Sequence, residues 1–277
     1  MNENILITGG TGSLGQALVT ECLKHDFRTI RIYSRNEYLQ WLMRQEPQFQ
    51  DDRLRWMIGD VRDRERLQQC LQGIEYIIHT AALKHLPVGQ YNPQEFIKTN
   101  ILGSINIVDI AIQCQAKKVL GISSDKAVMP CSLYGATKQT MEFLFLDANR
   151  RSMPVTCFSL YRPANFTESH GNILELWDKQ AKTGICTLTD EGMYRYFIDT
   201  QQAAKIALEC LENMQGGEIF VPKGMTESSM LEILKGRHPE TTVKLIGNRD
   251  AERLHESLFA DSEMNRIEEH EHYYVVR

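Results

Sequence analysis

A tyrosine and a lysine four residues apart form the first pair of side chains in the chain that could do chemistry. The spacing of Tyr134 and Lys138 puts both side chains on one face of a helix. A tyrosine that takes a proton from an alcohol while hydride leaves the carbon needs a lowered pKa, and an adjacent ammonium favours the phenolate. The pair therefore predicts oxidation of an alcohol, with an ordinary surface pair on a helix as the alternative.

An acid and an amine stand side by side shortly before this pair. Ser124, Asp125 and Lys126 follow a predicted strand, at the edge of a parallel sheet where ligands bind. Once a sugar is oxidised at C4, its C5 proton becomes acidic, so a base can remove it while an acid protonates a departing C6 hydroxyl. Lys126 and Asp125 are candidates for these roles, and a salt-bridged helix cap is the alternative.

A glycine-rich turn near the N-terminus predicts a dinucleotide site. Thr8–Gly15 follows the first predicted strand and opens the first predicted helix. Its glycines permit a tight turn and a close approach of the backbone to pyrophosphate, and the helix N-terminus offers free N–H groups to an anion. The residues predicted to contact the cofactor here are Gly9, Thr11, Gly12, Ser13 and Leu14.

The end of the second predicted strand bears on the choice between NADP and NAD. No acidic residue stands there to bind a ribose 2′-hydroxyl, whereas Ser34 and Arg35 are suited to a 2′-phosphate, which favours NADP. An arginine can also stack on the adenine of NAD, so both cofactors remain open. Further cofactor contacts are predicted at Asp60 and Val61, for the adenine edge, and at Ala81 and Ala82, for the nicotinamide ribose.

A parallel sheet would bring these motifs together at one edge, and the hydrophobic pattern predicts such a sheet. Short apolar runs alternate with helix-like stretches, which is typical of a parallel, doubly wound α/β sheet of the Rossmann type. From about Asn165 shorter helical pieces such as Gln201–Met214 are interleaved with Gly and Pro. We expect a dinucleotide-binding domain over 1–164 and a smaller substrate lobe over 165–277, interleaved with the first. The predicted strands are Asn4–Thr8, Thr29–Tyr33, Leu54–Ile58, Tyr76–His79, Val119–Ile122 and Val155–Leu160.

Composition excludes several classes of protein. The chain has 277 residues, 42% of them hydrophobic, and a net charge of −5 with mixed signs, which argues against a nucleic-acid or membrane surface. Seven separated cysteines without a C-x-x-C pair suggest neither disulfides nor zinc. No metal is expected, and the acidic tail Glu268–His272 is predicted to be a solvated end. Without a signal sequence or a long apolar stretch, the expected compartment is the cytoplasm.

Taken together, the motifs resemble the extended short-chain dehydrogenases that act as C5-inverting UDP-N-acetylglucosamine (UDP-GlcNAc) 4,6-dehydratases. The resemblance runs from about Ile5 to Val276. It is carried by Thr8–Ser13, Tyr33–Arg35, Ile58–Asp63, Ala82–His85, Tyr91–Pro93, Lys98–Asn100, Ser124–Ala127 and Leu133–Lys138, and then by Asp190, Met193, Arg195, Gly216–Lys223, Ile246-Gly247, Arg249, Glu252 and His255-Glu256.

The resemblance implies a mechanism. Tyr134 assists hydride transfer from C4, Lys126 removes the C5 proton and Asp125 protonates the departing C6 oxygen, after which hydride returns to C6 and C5 is reprotonated from the opposite face. The implied cofactor is NADP or NAD, tightly bound and recycled, and the implied partners are a UDP-sugar and further copies of the chain. The implied substrate residues are Arg195 and Arg249 for the diphosphate, Glu252 for the uridine ribose, Lys84, His85 and Asn165 for the sugar end, and Lys223. Lys84 also belongs to the implied cofactor site.

Departures from the family's pattern leave the starting substrate open. The family's Gly-Ser-Arg-Gly-Ser stretch is replaced by Glu168–Asn172, a Thr by Ser124 and a Lys by Leu39, and the chain ends at Arg277 without the usual extension. One reading is dehydration of UDP-GlcNAc itself. The other, which the altered segment favours, is oxidation and reduction of a 5,6-unsaturated UDP-sugar. Both give UDP-4-keto-6-deoxy-L-AltNAc, a precursor type for pseudaminic acid.

Two further alternatives use most of the same residues. A UDP-sugar 4-epimerase or 4-reductase would need Tyr134 and Lys138 but not Asp125 and Lys126. A catalytically dead NAD(P)-binding protein would keep the fold without the activity, although such proteins usually lose the tyrosine or the lysine first.

Overall fold

The computed structural model of the chain describes residues 2–169, 171–247 and 252–277. Its strands are β1 (Asn4–Thr8), β2 (Thr29–Ser34), β3 (Leu54–Ile58), β4 (Tyr76–His79), β5 (Lys118–Ile122), β6 (Cys157–Tyr161), β7 (Asn165–Phe166), β8 (Ile185–Leu188), β9 (Tyr194–Ile198), β10 (Ile219–Pro222), β11 (Thr226–Ser229), β12 (Thr242–Leu245), β13 (Ile267–Glu269) and β14 (Tyr273–Val276). Its α-helices are α1 (Ser13–Leu23), α2 (Glu37–Gln45), α3 (Arg64–Leu71), α4 (Leu86–Tyr91), α5 (Pro93–Phe96), α6 (Gly103–Gln113), α7 (Leu133–Ser152), α8 (Ile173–Ala181), α9 (Thr200–Asn213) and α10 (Met230–Arg237). A π-helical segment, Ile97–Leu102, joins α5 to α6.

A nine-stranded sheet forms the centre of the molecule. Its order is β13-β14-β10-β6-β5-β4-β1-β2-β3, with parallel pairing from β10 through β3 and antiparallel pairing of β14 with both its neighbours. The strand order reverses between β1 and β4, and in open parallel sheets ligands bind at the carboxyl ends of strands beside such a reversal. The Rossmann-type fold predicted from the sequence is confirmed.

Helices cover both faces of this sheet because its central strands are apolar throughout. All five residues of β1 are buried, as expected for a strand with no solvent-facing side. Helices α1 and α9 pack together on one face, and α3, α6 and α7 cover the other. Helix α9 begins after Asp199, whose carboxylate accepts a hydrogen bond from Gln202 N at 2.8 Å, so the predicted helix Gln201–Met214 is correct to within one residue at each end.

A smaller lobe lies over the carboxyl edge of the sheet. It contains the three-stranded sheet β11-β9-β7, the pair β12-β8 and the helices α8 and α10, which pack around the fully buried Trp177. Residues after 164 do not all belong to this lobe, since α9, β10, β13 and β14 return to the large sheet. The division into two separate folding units stays a prediction.

The acidic tail is more ordered than the sequence suggested. Residues 267–269 and 273–276 form a hairpin that pairs with β10, with Tyr273 opposite Pro222 and Val276 opposite Ile219. Tyr273 and Val275 point into the core with 5% and 2% exposure. The solvent exposure predicted for Glu268–His272 agrees with the structure, in which all five residues are exposed, while the apolar residues that follow pair with a buried strand.

Candidate functional site

The start of α7 is held against the loop that follows β5. Ser132 caps the helix by accepting a hydrogen bond from Gly135 N at 3.1 Å. Gly135 lies so close to this loop that an added Cβ would stand 2.2 Å from the carbonyl oxygen of Lys126. Because glycine permits this approach, Tyr134 reaches the same edge of the sheet as Asp125 and Lys126.

A continuous chain of polar contacts joins the tyrosine to the acid and the amine. The Tyr134 phenol is hydrogen-bonded to Ser124, whose hydroxyl donates to Asp125 Oδ1 at 2.8 Å. Lys126 Nζ lies 3.1 Å from the same carboxylate oxygen and 3.2 Å from Asn165 Oδ1. The structure thus brings together Tyr134, Ser124, Asp125, Lys126 and Asn165, as predicted for one reaction centre; the role of each remains a proposal.

Asp125 and Lys126 differ in their access to solvent. The Asp125 side chain is 0% exposed, while that of Lys126 is 18% exposed. The carboxylate also accepts the backbone N–H of Lys126 at 2.9 Å, so it is buried with its partners in place. The amine faces the cleft, and the acid stands directly behind it.

The tyrosine and the lysine on α7 do not influence each other as predicted. Burial raises the pKa of Tyr134 well above its usual range, with a further contribution from the charge of Asp125 and an opposing one from the Ser124 hydrogen bond. Lys138 Nζ donates to Ile122 O at 2.6 Å. Burial lowers the pKa of Lys138 from 10.5 to about 8, although the charge of Glu142 acts to raise it. The expected lowering of the Tyr134 pKa by Lys138 is therefore not observed among the protein groups.

The lowered pKa of Lys138 predicts how folding stability depends on pH. Between the folded value of about 8 and the ordinary value of 10.5, the unfolded chain binds the extra proton, so stability rises with pH in this window. We expect the unfolding free energy of the wild type, relative to Lys138→Met, to increase by about 2 kcal/mol from about pH 7 to about pH 9.5. Denaturant unfolding at both pH values measures this. Lys244→Met, at an exposed position of β12, controls for the loss of one positive charge, and parallel profiles for wild type and Lys138→Met would contradict the expectation.

The glycine-rich turn has the geometry of a pyrophosphate cradle. Gly9 has a φ of +66°, and Gly12 N donates to Gly9 O at 2.9 Å. An added Cβ on Gly15 would stand 2.3 Å from Gly9 O, so only glycine lets α1 begin this close to the turn. Gly12, which precedes α1, gives it no side-chain cap, and the first turn of α1 contains no acidic residue. These features fit a dinucleotide, whose pyrophosphate the helix N-terminus would hold.

Gly15→Ala is expected to remove the bound dinucleotide. The new methyl group would meet backbone atoms of Gly9 and Gly10 at 2.3 and 2.7 Å, and backbone cannot move aside as a flexible side chain does. We expect dinucleotide affinity to fall at least about tenfold, roughly 1.4 kcal/mol. Nucleotide released from the denatured protein measures retention. Gly236→Ala in α10, where no described atom lies within 4 Å of the added Cβ, is the matched control and should retain the nucleotide as the wild type does.

The residues predicted for a 2′-phosphate are already engaged. Ser34 is 7% exposed, and its hydroxyl accepts a hydrogen bond from Gln40 Nε2 at 3.0 Å. Arg35 Nη1 lies 3.6 Å from Asp60 Oδ2. Burial acts to raise the pKa of Asp60, but hydrogen bonds from Arg62 and the charges of Arg62 and Arg35 outweigh it, so that pKa is lowered. The Arg35 guanidinium is therefore already paired with the Asp60 carboxylate.

The remaining predicted cofactor residues lie along the same edge of the sheet. Val61 is buried, and its carbonyl accepts from Asn106 Nδ2 at 2.9 Å. Ala81 N donates to the Thr8 hydroxyl at 3.2 Å, which ties the end of β4 to the end of β1. A Cβ on Gly9 would lie 3.0 Å from Ala81 Cα, so the small residues Ala81 and Ala82 follow directly beside the glycine turn.

A cavity of about 480 Å³ opens between the sheet edge and the smaller lobe. This volume is in the range that small-molecule sites occupy. Ser124, Lys126 and Tyr134 line its floor. The predicted substrate residues that also line it are Lys84, His85, Asn165, Arg195 and Glu252.

Two predicted substrate residues are not placed in this cavity. Lys223 lies outside it, with its Nζ 2.6 Å from Glu269 Oε1 and 5.0 Å from the centre of the Tyr274 ring. Lys223 follows β10, whose pairing with the C-terminal hairpin brings this side chain to Glu269 and Tyr274, and its role in substrate binding stays a prediction. Arg249 lies outside the described residues.

The far end of the cavity contains a buried oxygen that lacks a partner. Among the described residues, Glu252 Oε2 is buried and accepts no hydrogen bond. Such a group is costly unless a ligand satisfies it. Arg195 nearby is 8% exposed and donates to the carbonyl oxygens of Tyr194, Arg253 and Leu254 at 2.7 to 3.0 Å. These bonds fix the guanidinium at the cavity wall and shape the segment that carries Glu252.

Several cavity residues had no role in the sequence prediction. Arg253 donates to the carbonyls of Val128 and Met129, which bridges the smaller lobe to the loop after Lys126. Glu256 lines the cavity, and burial raises its pKa, with Lys126 opposing. Ser169 contacts the Lys84 ammonium. Glu256 belongs to a motif that carried the family resemblance, whereas nothing in the local sequence marks Arg253 or Ser169.

A metal site and a membrane-spanning helix are two features that the sequence did not predict. Among the described residues, no group of His, Cys, Asp and Glu side chains is arranged to hold a metal ion. Over the same residues, no helix combines the length and apolar character needed to cross a membrane.

The similarity to known proteins extends over nearly the whole chain. Residues 5–277 match the family described as polysaccharide biosynthesis protein. The UDP-N-acetylglucosamine 4,6-dehydratase (inverting) of Campylobacter jejuni is 39% identical, covering 99% of this chain and 82% of that protein. The UDP-glucose 4-epimerase of Rickettsia conorii is 33% identical, covering 100% of this chain and 83% of that one. The crystal structure of Pen from Bacillus thuringiensis superposes with a TM-score of 0.95 at 32% identity, covering 99% of this chain and 89% of that one.

Proposed function

The chain belongs to the polysaccharide biosynthesis protein family and resembles inverting 4,6-dehydratases over nearly its whole length, and we propose that it converts UDP-GlcNAc into UDP-4-keto-6-deoxy-L-AltNAc. The observation that carries the proposal is the polar chain from Tyr134 through Ser124 and Asp125 to Lys126 and Asn165. It supplies one group for the C4 hydroxyl and one for C5 at the cavity, with an acid for C6 directly behind Lys126.

Tyr134 is proposed to act on the sugar C4 hydroxyl. A bound nicotinamide dinucleotide would supply the hydride acceptor at C4 and later the hydride donor at C6. Tyr134 takes the hydroxyl proton, and the Ser124 hydroxyl, whose hydrogen bond acts to lower the Tyr134 pKa against the effect of burial, would in this step donate to the phenolate instead of to Asp125. Lys138, one helical turn along α7, is anchored to Ile122 O and orients the helix face that carries the phenol.

Asp125 and Lys126 are proposed to act as one proton-sharing pair. At 3.1 Å, moving one proton from Lys126 Nζ to Asp125 Oδ1 yields a free amine and a carboxylic acid without changing net charge. The amine then removes the C5 proton, and the acid protonates the departing C6 oxygen. The elimination of water leaves Lys126 protonated and Asp125 ionised, which restores the starting pair.

The nucleotide end of the substrate is proposed to lie against Glu252 and Arg195. The unpartnered Glu252 Oε2 suits a ribose hydroxyl donor, and Arg195 at the cavity wall suits a diphosphate. The Campylobacter relative is named for a UDP-sugar, which supports the same substrate class. Because Ser34 is occupied by Gln40 and Arg35 faces Asp60, we favour NAD over NADP as the cofactor. A homo-oligomer and a role in pseudaminic acid synthesis stay predictions.

As the starting substrate we propose UDP-GlcNAc and not the 5,6-unsaturated sugar that the sequence favoured. The altered segment Glu168–Asn172 supported the unsaturated sugar, but Ser169 in it contacts Lys84, which lines the cavity, so the change keeps a polar partner there. His170 lies outside the described residues. The 39% identity to a protein named as an inverting UDP-N-acetylglucosamine 4,6-dehydratase supports UDP-GlcNAc.

The test is separate incubation with UDP-GlcNAc and with the 5,6-unsaturated sugar in deuterated water, with products identified by NMR. We expect UDP-GlcNAc to be consumed and one deuterium to appear at C5. Turnover of the unsaturated sugar alone would overturn the choice of substrate. A C4 epimer without deuterium at C5, the result expected of a 4-epimerase, would overturn the reaction. Mass spectrometry of the nucleotide released from the purified protein decides between NAD and NADP.

A further inference from the structure

A buried arginine behind the reaction centre has every donor satisfied. Arg162 follows β6 and is 2% exposed. Its Nε and Nη2 donate to Glu142 at 2.9 and 2.8 Å, its Nη1 and Nη2 donate to Glu263 at 2.8 Å, and Nη1 also reaches Leu258 O at 3.2 Å. A guanidinium has five N–H donors, so two bidentate carboxylates and one carbonyl use all of them.

One arm of this cluster reaches the catalytic loop. Glu142 lies on α7 and follows Tyr134 and Lys138 at intervals of four, so the three side chains share a helix face. Its Oε1 accepts the Ser123 hydroxyl at 2.6 Å. Ser123 directly precedes Ser124, and Asp125 N donates to Pro163 O at 3.0 Å, next to Arg162. The cluster therefore fixes the positions of α7, the loop and the end of β6 relative to one another.

The other arm reaches the segment that lines the nucleotide end. Glu263 also accepts Ala260 N at 2.8 Å, which closes the turn at residues 260–263. This turn continues from residues 252–256, where Glu252, Arg253 and Glu256 line the cavity. A shift of the turn would move those side chains relative to Lys126.

Building on the function proposed above, we propose that Arg162, Glu142 and Glu263 are positioning residues that lock the catalytic loop to the nucleotide-binding segment. None of them lines the substrate cavity, and all three are at most 8% exposed. The two glutamates position different segments. Glu142 positions the Ser124–Lys126 loop, which acts in the chemical steps, and Glu263 positions the 252–260 segment, which acts in binding.

The experiment compares Glu142→Gln and Glu263→Gln with the same change at a third buried carboxylate, Glu218, which directly precedes β10. Glu218 is 1% exposed and accepts Ser159 Oγ at 2.6 Å and Gly216 N at 2.8 Å, remote from the loop. Glu218→Gln therefore controls for the loss of a buried carboxylate. A small misplacement of reacting groups can cost up to about 100-fold in rate. We expect kcat to fall about 10- to 100-fold in Glu142→Gln, KM for UDP-GlcNAc to rise by a similar factor in Glu263→Gln, and neither to change beyond about twofold in Glu218→Gln.

Hydrogen–deuterium exchange, measured without substrate, separates this inference from the proposed function. Exchange over residues 123–129 is expected to accelerate in Glu142→Gln, and over 252–260 in Glu263→Gln, but not in Glu218→Gln. If the wild type does not turn over UDP-GlcNAc, the proposed function fails. Hydrogen–deuterium exchange and the affinity for UDP still test whether the cluster positions the two segments. Equal effects in all three variants would show a general loss of stability and overturn the inference. Should Glu142→Gln fail to fold, Ser123→Ala removes the same link, and unchanged exchange over residues 123–129 would overturn it.

Discussion

Tyr134→Phe is expected to abolish conversion of UDP-GlcNAc while leaving the dinucleotide bound. The ring is retained, so the packing of this half-buried side chain between the loop and α7 is preserved and only the hydroxyl is lost. Loss of a positioned acid–base group typically costs about 10²- to 10⁴-fold in rate. Because the phenol is proposed to act in the C4 step, no reduced nicotinamide should form when substrate is added. Product formation measures the conversion, absorbance measures reduced nicotinamide, and the nucleotide content of the protein measures retention of the dinucleotide.

Tyr161→Phe is the matched control. Tyr161 is fully buried, and its hydroxyl donates to Ala203 O at 3.0 Å on the other face of the sheet from α7. It therefore reports the cost of losing a buried tyrosine hydroxyl outside the cavity, and its rate should match the wild type. An unchanged rate in Tyr134→Phe would remove this residue from the reaction.

The parallel sheet could be predicted from the sequence because its signals are local. Runs such as Asn4–Thr8 and Leu54–Ile58 are apolar and short, and each is followed by a helical pattern, so strand identity does not depend on distant residues. The glycine turn was predictable for the same reason, since the positive φ of Gly9 and the close contacts of Gly12 and Gly15 with Gly9 arise within one strand–turn–helix unit. The same holds for Tyr134 and Lys138 on one helix face.

Contacts between distant segments could not be predicted in the same way. Lys223 was placed by a motif, but its direction depends on pairing of β10 with a tail some fifty residues later. The Arg162 cluster joins residues 142, 162 and 263, which no local pattern relates. The direction of the Tyr134 pKa also depends on burial by the completed fold, which outweighs the neighbouring charge considered from the sequence.

Lys126→Met is expected to stop the reaction one step later than Tyr134→Phe. Methionine keeps the length of the side chain but removes the amine that would take the C5 proton. We expect net turnover to fall about 10²- to 10⁴-fold, while C4 oxidation still produces reduced nicotinamide on addition of UDP-GlcNAc. No deuterium should enter C5 from deuterated water. Asp125 keeps its hydrogen bonds from Ser124 and from the backbone N–H of residue 126, so the loop retains most of its contacts.

Comparison of Tyr134→Phe with Lys126→Met tests whether the step proposed for Asp125 and Lys126 follows the step proposed for Tyr134. A 4-epimerase would oxidise C4 with Tyr134 but would not need the amine of Lys126, so its turnover would survive Lys126→Met. Lys118→Met is the matched control, because Lys118 opens the same strand β5 at its opposite end and donates to Leu211 O and Glu212 O. Deuterium entering C5 at the wild-type rate in Lys126→Met would show that another base acts there. Glu256, which lines the same cavity beside Lys126, would then be the first residue to replace.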